Sequence, residues 1–263
     1  MKSSSEKINH FLQYIGTNAL ENIETFMIEA SNRKYTTFYS EDQIELVFNN
    51  YISEFYANST IQDTEAIKIY TGISYIAINS FLRGTWDYSK NGIPTEEKRE
   101  ESEKIANNLY ASLMKTPDSL PQDIITYRGV NILSFKDYNI ESISELTRIV
   151  GEYYFEYGFT STSLLKEKSY FNRELEYHDK CNIEIEYFIP KECNEGLPLI
   201  NDYLSYCKFQ NEFLINKNCF SKIVDVKISE DNEKAYLKAM VIPRRVWDLT
   251  YTEYHEIKKR CLK

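Results

Sequence analysis

The chain has 263 residues, enough for one large domain, or one domain with a helical extension, around a substantial core. Hydrophobic residues make up 42% and charged residues 27%, an ordinary globular composition, and no run approaches the ~18 apolar residues needed to span a bilayer. The net charge of −9 disfavours nonspecific attraction to nucleic-acid phosphates, and 22 tyrosines promise surfaces and clefts rich in aromatic area with polar tips.

The opening, MKSSSEKINHFLQYIG, is polar and charged and lacks the apolar core of a secretory signal. Either export does not use that route or a leader lies outside this sequence. Ile8, Leu12, Ile15 and Leu20, then Ile23, Met27 and Ile28, recur at helical intervals and predict an amphipathic, core-packing helix. In SEDQIELVFNNYISEFYAN, Ser40 is an N-cap candidate with Gln43 at capping-box spacing. DTEAIKIYTGISYIAINSFLRG reads as a helix broken at Thr71-Gly72 and a second helix ending near Gly84. TWDYSKNGIPTEE reads as a loop before the polar helix EEKREESEKIANNLYASLMKT.

After PDSLPQ the pattern changes. DIITYRGV, GFTSTS, CNIEIEYFIP, NEFLIN, FSKIVDVKI and KAYLKAMVI are short, β-branched and aromatic, and separated by turn signals. Ile183, Ile185, Tyr187 and Ile189 alternate with Glu184, Glu186 and Phe188, nearly clean period two. ESISELTRIV predicts one short interposed helix. Helices first and strands later imply an α+β fold, not a parallel βαβ repeat.

Several common sites are absent. None of the eight glycines forms a G-x-G, and there is no P-loop, H-E-x-x-H or G-x-S-x-G. A nucleotide ligand, if there is one, must therefore be held by side chains and not by a glycine loop. The five cysteines form no C-x-x-C and read as reduced thiols, and the three histidines are scattered, so no metal is expected. Within FQNEFLI, strand periodicity puts Gln210, Glu212 and Leu214 on one face, and Asn211, Phe213 and Ile215 on the other. Taken alone, that pattern also fits an edge strand with a solvated polar start.

Four segments follow in order: ITYRG with Arg128, GFTSTSL with Ser161, Thr162 and Ser163, YFNR, and FQNEFLI. This order resembles the mono-ADP-ribosyltransferase toxins, especially the clostridial Rho-inactivating exoenzymes and the catalytic domains of binary and vegetative insecticidal toxins. The likeness spans about Glu65 to Pro243 and includes YTGISYIAINSFLRG and MKTPDSLPQDIITYRG. The resemblance implies two packed, mainly antiparallel sheets ringed by helices, with NAD between them. It also implies a helical N-terminal extension over residues 1–58 and a catalytic domain over 59–263.

By the same resemblance, Arg128 and Gly129 would meet the NAD pyrophosphate, where a planar guanidinium suits phosphate oxygens. Glu212 would stabilise positive charge developing on the ribose, and Ser161 would fix Glu212. Asn79 and Arg83, four apart on one helix face, become cofactor contacts, as do Thr162 and Ser163. Arg173 would reach a phosphate, with an aromatic just before it covering the nicotinamide. The family's aromatic-to-arginine spacing favours Tyr170, whereas counting from S-T-S favours Phe171, the preferred candidate. The family's proline after that arginine is Glu174 here.

Gln210 bears on the acceptor, since an amide cannot take up a proton but complements another amide. That matches the toxins that modify asparagine or glutamine. The preceding loop, INDYLSYCKF, would recognise the target protein through Tyr203, Tyr206 or Phe209. Kinship suggests a Rho-family GTPase in a host cytosol, reached by secretion or delivery, with the enzyme acting as a monomer and hydrolysing NAD as a side reaction. The alternatives are modification of a nucleobase, or an inert binding domain of the same fold.

Overall fold

The computed structural model describes residues 4–84, 96–169, 171 and 181–248, with side chains from residue 15 onward except those of Ile73 and Asp137. The helices come first: α1 (Ser4–Ser31), α2 (Glu41–Asn58), α3 (Ile61–Ile69), α4 (Tyr75–Arg83) and α5 (Glu96–Leu113). Between α3 and α4 the chain forms a π-turn, Tyr70–Ser74, because Gly72 leaves helical geometry (φ −77°, ψ −134°). This is the break expected at Thr71-Gly72. The Ser40 hydroxyl caps α2 by accepting from Gln43 N, and α4 stops at Gly84 in the left-handed region (φ 66°). The segment TWDYSKNGIPT lies outside the described residues.

Eight strands follow among the described residues: β1 (Ile124–Val130), β2 (Tyr153–Glu156), β3 (Thr160–Ser163), β4 (Ile183–Ile189), β5 (Gly196–Leu199), β6 (Glu212–Ile215), β7 (Cys219–Ile228) and β8 (Ala235–Ile242). Six were legible in the sequence; β2 and β5 were not. ESISELTRIV forms a 3-10 turn, Ile143–Ile149, and a second such turn spans Ile132–Tyr138. The strands run in the order β2-β7-β8-β4-β1-β3-β6-β5, antiparallel except for the β4–β8 pair. The two sheets implied by the family are joined here: β1 and β3 share a single registered pair, Tyr127 opposite Ser163. Five strands lie on one side of that seam and three on the other.

One large core unites helices and strands. Phe48 and Phe55 of α2 pack in the same cluster as Ile183, Ile185, Leu214 and Leu237. The helices expected as an extension therefore share the core from Phe38 onward, each fully buried large side chain contributing roughly 1.5–3 kcal/mol. The second half of α1 packs apart from this core: Ile23 meets Phe220, Ile242 and Trp247, while Phe26 and Ala30 meet Met240. Ile28, counted in the apolar stripe, instead points to solvent. On β4 the expected alternation holds except at Glu184, whose buried carboxylate is paired with Lys166 at 2.8 Å. Gly196 must be glycine, because an added Cβ would fall 2.4 Å from the Phe213 ring.

Candidate active site

The segment Tyr70–Arg83 faces β1, β3 and β6 across a cavity of about 480 Å³. That volume lies within the range of small-molecule and cofactor sites. The helical wall supplies Tyr70, Gly72, Asn79 and Arg83, and the strand wall supplies Arg128, Gly129, Ser161 and Glu212, with Gln210 beside them. A guanidinium, a hydroxyl and a carboxylate from three separate strands thus open on one space.

Glu212 opens β6 directly opposite Ser163, with Ser161 opposite Leu214. In an antiparallel pair, residues facing one another share a sheet face, so Ser161 and Glu212 project together. Burial pushes the Glu212 carboxyl up to about 7, while interactions with the Ser161 hydroxyl and the Arg128 charge pull it partly back. Gln210 does not share this strand. It closes a 3-10 turn, Lys208–Gln210, and Asn211 then adopts the left-handed conformation (φ 48°). Asparagine tolerates that region, and its amide donates to Glu41 Oε1 at 3.0 Å. The period-two reading of Gln210 fails because this turn precedes the strand, yet both side chains reach the cavity.

Opposite, Glu156 binds Arg83 through two hydrogen bonds, Nε to Oε1 at 2.8 Å and Nη2 to Oε2 at 3.0 Å. Arg128 Nη2 lies 3.9 Å from Oε2 of the same carboxylate. Burial works to raise the pKa of Glu156, but the two guanidiniums and the Gly158 N–H outweigh it and hold it below its ordinary value. Burial likewise works to lower Arg128, and Glu156 with Tyr187, Tyr154 and Tyr70 more than offsets this.

Asn79 lines the cavity, but its amide is engaged by protein. Its Oδ1 accepts from Phe159 N at 2.9 Å, and its Nδ2 donates to Tyr70 Oη at 2.9 Å. Asn79 thereby straps α4 to the turn before β3. Thr162 and Ser163 border a small adjoining recess with Lys168 and Ser169. Their hydroxyls are also engaged: Thr162 donates to Phe213 O (2.9 Å), and the single Ser163 hydroxyl proton is shared between Leu165 O (2.8 Å) and Gln210 O (3.0 Å). Ser163 therefore fixes the turn carrying Gln210. Phe171 packs edge-on against Tyr236, under Lys234, and is not among the described residues lining the cavity. Tyr170 and Arg173 lie outside the described residues.

The loop before Gln210 carries Tyr203, Tyr206 and Phe209, all exposed. It is not slack. Asn201 Oδ1 accepts from Tyr203 N and Leu204 N, each at 3.1 Å, Tyr206 N donates to Thr71 Oγ1 (3.3 Å), and Lys68 Nζ sits 4.9 Å over the Tyr206 ring. Sequence reasoning missed the cavity residues Tyr75, Ile76, Phe159 and Cys207, and also Glu156 behind it. Only Glu156 left a trace, as a lone acid within the aromatic run YYFEYGF.

A family model described as ADP-ribosyltransferase exoenzyme matches residues 38–244. The chain belongs to that family. Solved structures agree on the fold. "The crystal structure of C3stau2 from S. aureus with NAD" superposes with a TM-score of 0.60 at 20% identity, covering 80% of this chain and 100% of that one. The C3 exoenzyme of Clostridium limosum gives 0.59 at 19% identity, covering 80% and 98%. Plx2a from Paenibacillus larvae gives 0.57 at 21%, covering 76% and 96%. No curated protein sequence matches the chain. The family assignment makes this an NAD-dependent ADP-ribosyltransferase of toxin type. The residues present suit NAD: two guanidiniums for a diphosphate, and a buried carboxylate for a cationic ribose. No described helix is long and apolar enough to cross a membrane.

Proposed function

We propose that this ADP-ribosyltransferase modifies an asparagine or glutamine side chain of a host protein, with a Rho-family small GTPase as acceptor, and hydrolyses NAD as a side reaction. The observation carrying this reading is that the neutral amide of Gln210 opens on the same cavity as Glu212, Ser161, Arg83 and Arg128. An amide at that position pairs with another amide as donor and acceptor, and offers no base for a guanidinium.

NAD supplies an ADP-ribosyl group whose bond to nicotinamide breaks with positive charge building on the ribose. Glu212, as carboxylate, stabilises that charge from a buried position, where the interaction is least screened. Arg128, beside Gly129, and Arg83 hold the diphosphate, and Ser161 orients Glu212. A cationic ring beside Glu212 favours its ionised form, so the carboxyl at about 7 in the free protein becomes more acidic when substrate binds. Tyr203, Tyr206 and Phe209 present apolar area to the acceptor protein. The catalytic unit falls within residues 59–263, the preceding helices bracing it, and the enzyme acts as a monomer delivered to a host cytosol.

Incubation with biotin-labelled NAD and either a purified Rho-family GTPase or a host-cell lysate tests this. Label on asparagine or glutamine of a GTPase is the expected result. Label confined to arginine, or to added DNA, would overturn the acceptor assignment.

A further inference from the structure

We infer that Glu156, set behind the cavity wall, is a positioning residue: its carboxylate aligns Arg83 and Arg128 to receive the diphosphate. The inference rests on the NAD reading above. Glu156 ends β2, and its side chain is 8% exposed, behind the two cavity-lining guanidiniums. Arg83 arrives from α4 and Arg128 from β1, elements that share no backbone pairing. Two like charges held close in a cavity repel, and a carboxylate near both offsets that repulsion. Glu156 is that carboxylate: Oε1 and Oε2 take the Nε–Nη2 edge of Arg83, and Oε2 also faces Arg128 Nη2.

The carboxylate is itself anchored. Gly158 N donates to Oε1 at 3.0 Å, so the turn between β2 and β3 helps to set its orientation. Gly158 also lies under Asn79, leaving no room for a side chain there. One turn thus registers Glu156, Asn79 and Arg83 together.

Charge arithmetic separates positioning from simple attraction. Two guanidiniums carry +2, and Glu156 brings the cluster to +1. Removing the negative charge would raise the net attraction for a dianionic diphosphate if Coulomb energy alone mattered. If alignment matters, the same change weakens binding, because a bidentate fork on one side of Arg83 sets where its remaining donors point.

The test measures ADP-ribose binding by calorimetry, beside inhibition of NAD hydrolysis by nicotinamide, for wild type, Glu156→Gln, Arg83→Lys and the double variant. ADP-ribose carries the diphosphate; nicotinamide does not. Glu156→Gln is expected to weaken ADP-ribose by about tenfold and leave the nicotinamide inhibition constant within about twofold, with KM for NAD rising more than kcat falls. In the Glu156→Gln background, Arg83→Lys should cost little more, since the two act as a unit. Unchanged or tighter ADP-ribose binding in Glu156→Gln, with wild type hydrolysing NAD, would overturn the role of Glu156 and leave the NAD reading intact. Equal weakening of both ligands would mark a purely structural carboxylate and overturn it as well. Should Glu156→Gln fail to fold, additive costs of Arg83→Lys and the shorter-chain Glu156→Asp would do the same. Wild type that neither binds nor hydrolyses NAD would overturn the reading and this inference together.

Discussion

Two buried glutamates serve the cleft, Glu212 lining it and Glu156 behind its two arginines, and both are 7% exposed. Their acidities move in opposite directions: Glu156 lies below its ordinary value and Glu212 rises to about 7. Burial penalises both carboxylates. What differs is company, since Glu156 has two guanidiniums and a backbone N–H, whereas Glu212 has a hydroxyl and only the more distant influence of Arg128. A paired carboxylate organises its neighbours. An underpaired one is held ready for a positive charge that the protein does not supply.

The sharpest way to break this contrast is Glu212→Gln. NAD hydrolysis and transfer should fall by about a hundredfold or more while NAD still binds, as expected when transition-state electrostatics are removed. Full turnover by that variant would sink the assignment. Stability should move the other way. Because the native state holds the Glu212 proton to about 7, against an ordinary 4.5, its contribution is complete at acid pH and is lost as pH rises through about 7. That difference corresponds to at most about 3 kcal/mol, so Glu212→Gln should gain stability over wild type as denaturation is moved to higher pH. Glu156 has the opposite sign: its contribution is present above the ordinary carboxylate range and disappears on acidification. The same titration predicts that kcat/KM for NAD climbs as pH passes about 7. A flat profile across that region would contradict it.

Gly158→Ala sharpens the contrast at the paired glutamate. The new Cβ would lie 2.6 Å from Asn79 Oδ1, which is pinned by Phe159 N, and 3.4 Å from Arg83 Nη2. A loss of about 1–3 kcal/mol in chemical denaturation is expected, together with a raised KM for NAD. The smallest effect on hydrolysis belongs to Gln210→Glu. It should impair protein modification while sparing NAD hydrolysis within about threefold, measured side by side with a GTPase acceptor. Equal losses would remove Gln210 from acceptor recognition.

Much of this architecture could be read from the chain. Capping at Ser40, the break at Thr71-Gly72, the stop at Gly84 and six of eight strands rest on local chemistry: a hydroxyl near free N–H groups, a missing Cβ, or a period-two apolar pattern. Arg128, Ser161, Gln210 and Glu212 were legible because their motifs occur in a family order, and all four reach the cavity. Strand β5, GLPL, was not legible: Gly and Pro are poor strand signals, and only the Phe213 ring filling the space above Gly196 explains it. Phe171, expected over the nicotinamide, packs edge-on against Tyr236, and its neighbours Tyr170 and Arg173 lie outside the described residues.

The order of amino acids was enough to specify where helices give way to strands and to single out Arg128, Ser161, Gln210 and Glu212, which line one cavity, since backbone preference and motif spacing are written within a few residues. It could not say that Glu156 stands between two arginines, that Asn79 spends its amide on Phe159, or that two carboxylates of equal burial would differ in acidity. Those outcomes depend on distances between groups dozens of residues apart, and desolvation and Coulomb energy act through space, not along the chain.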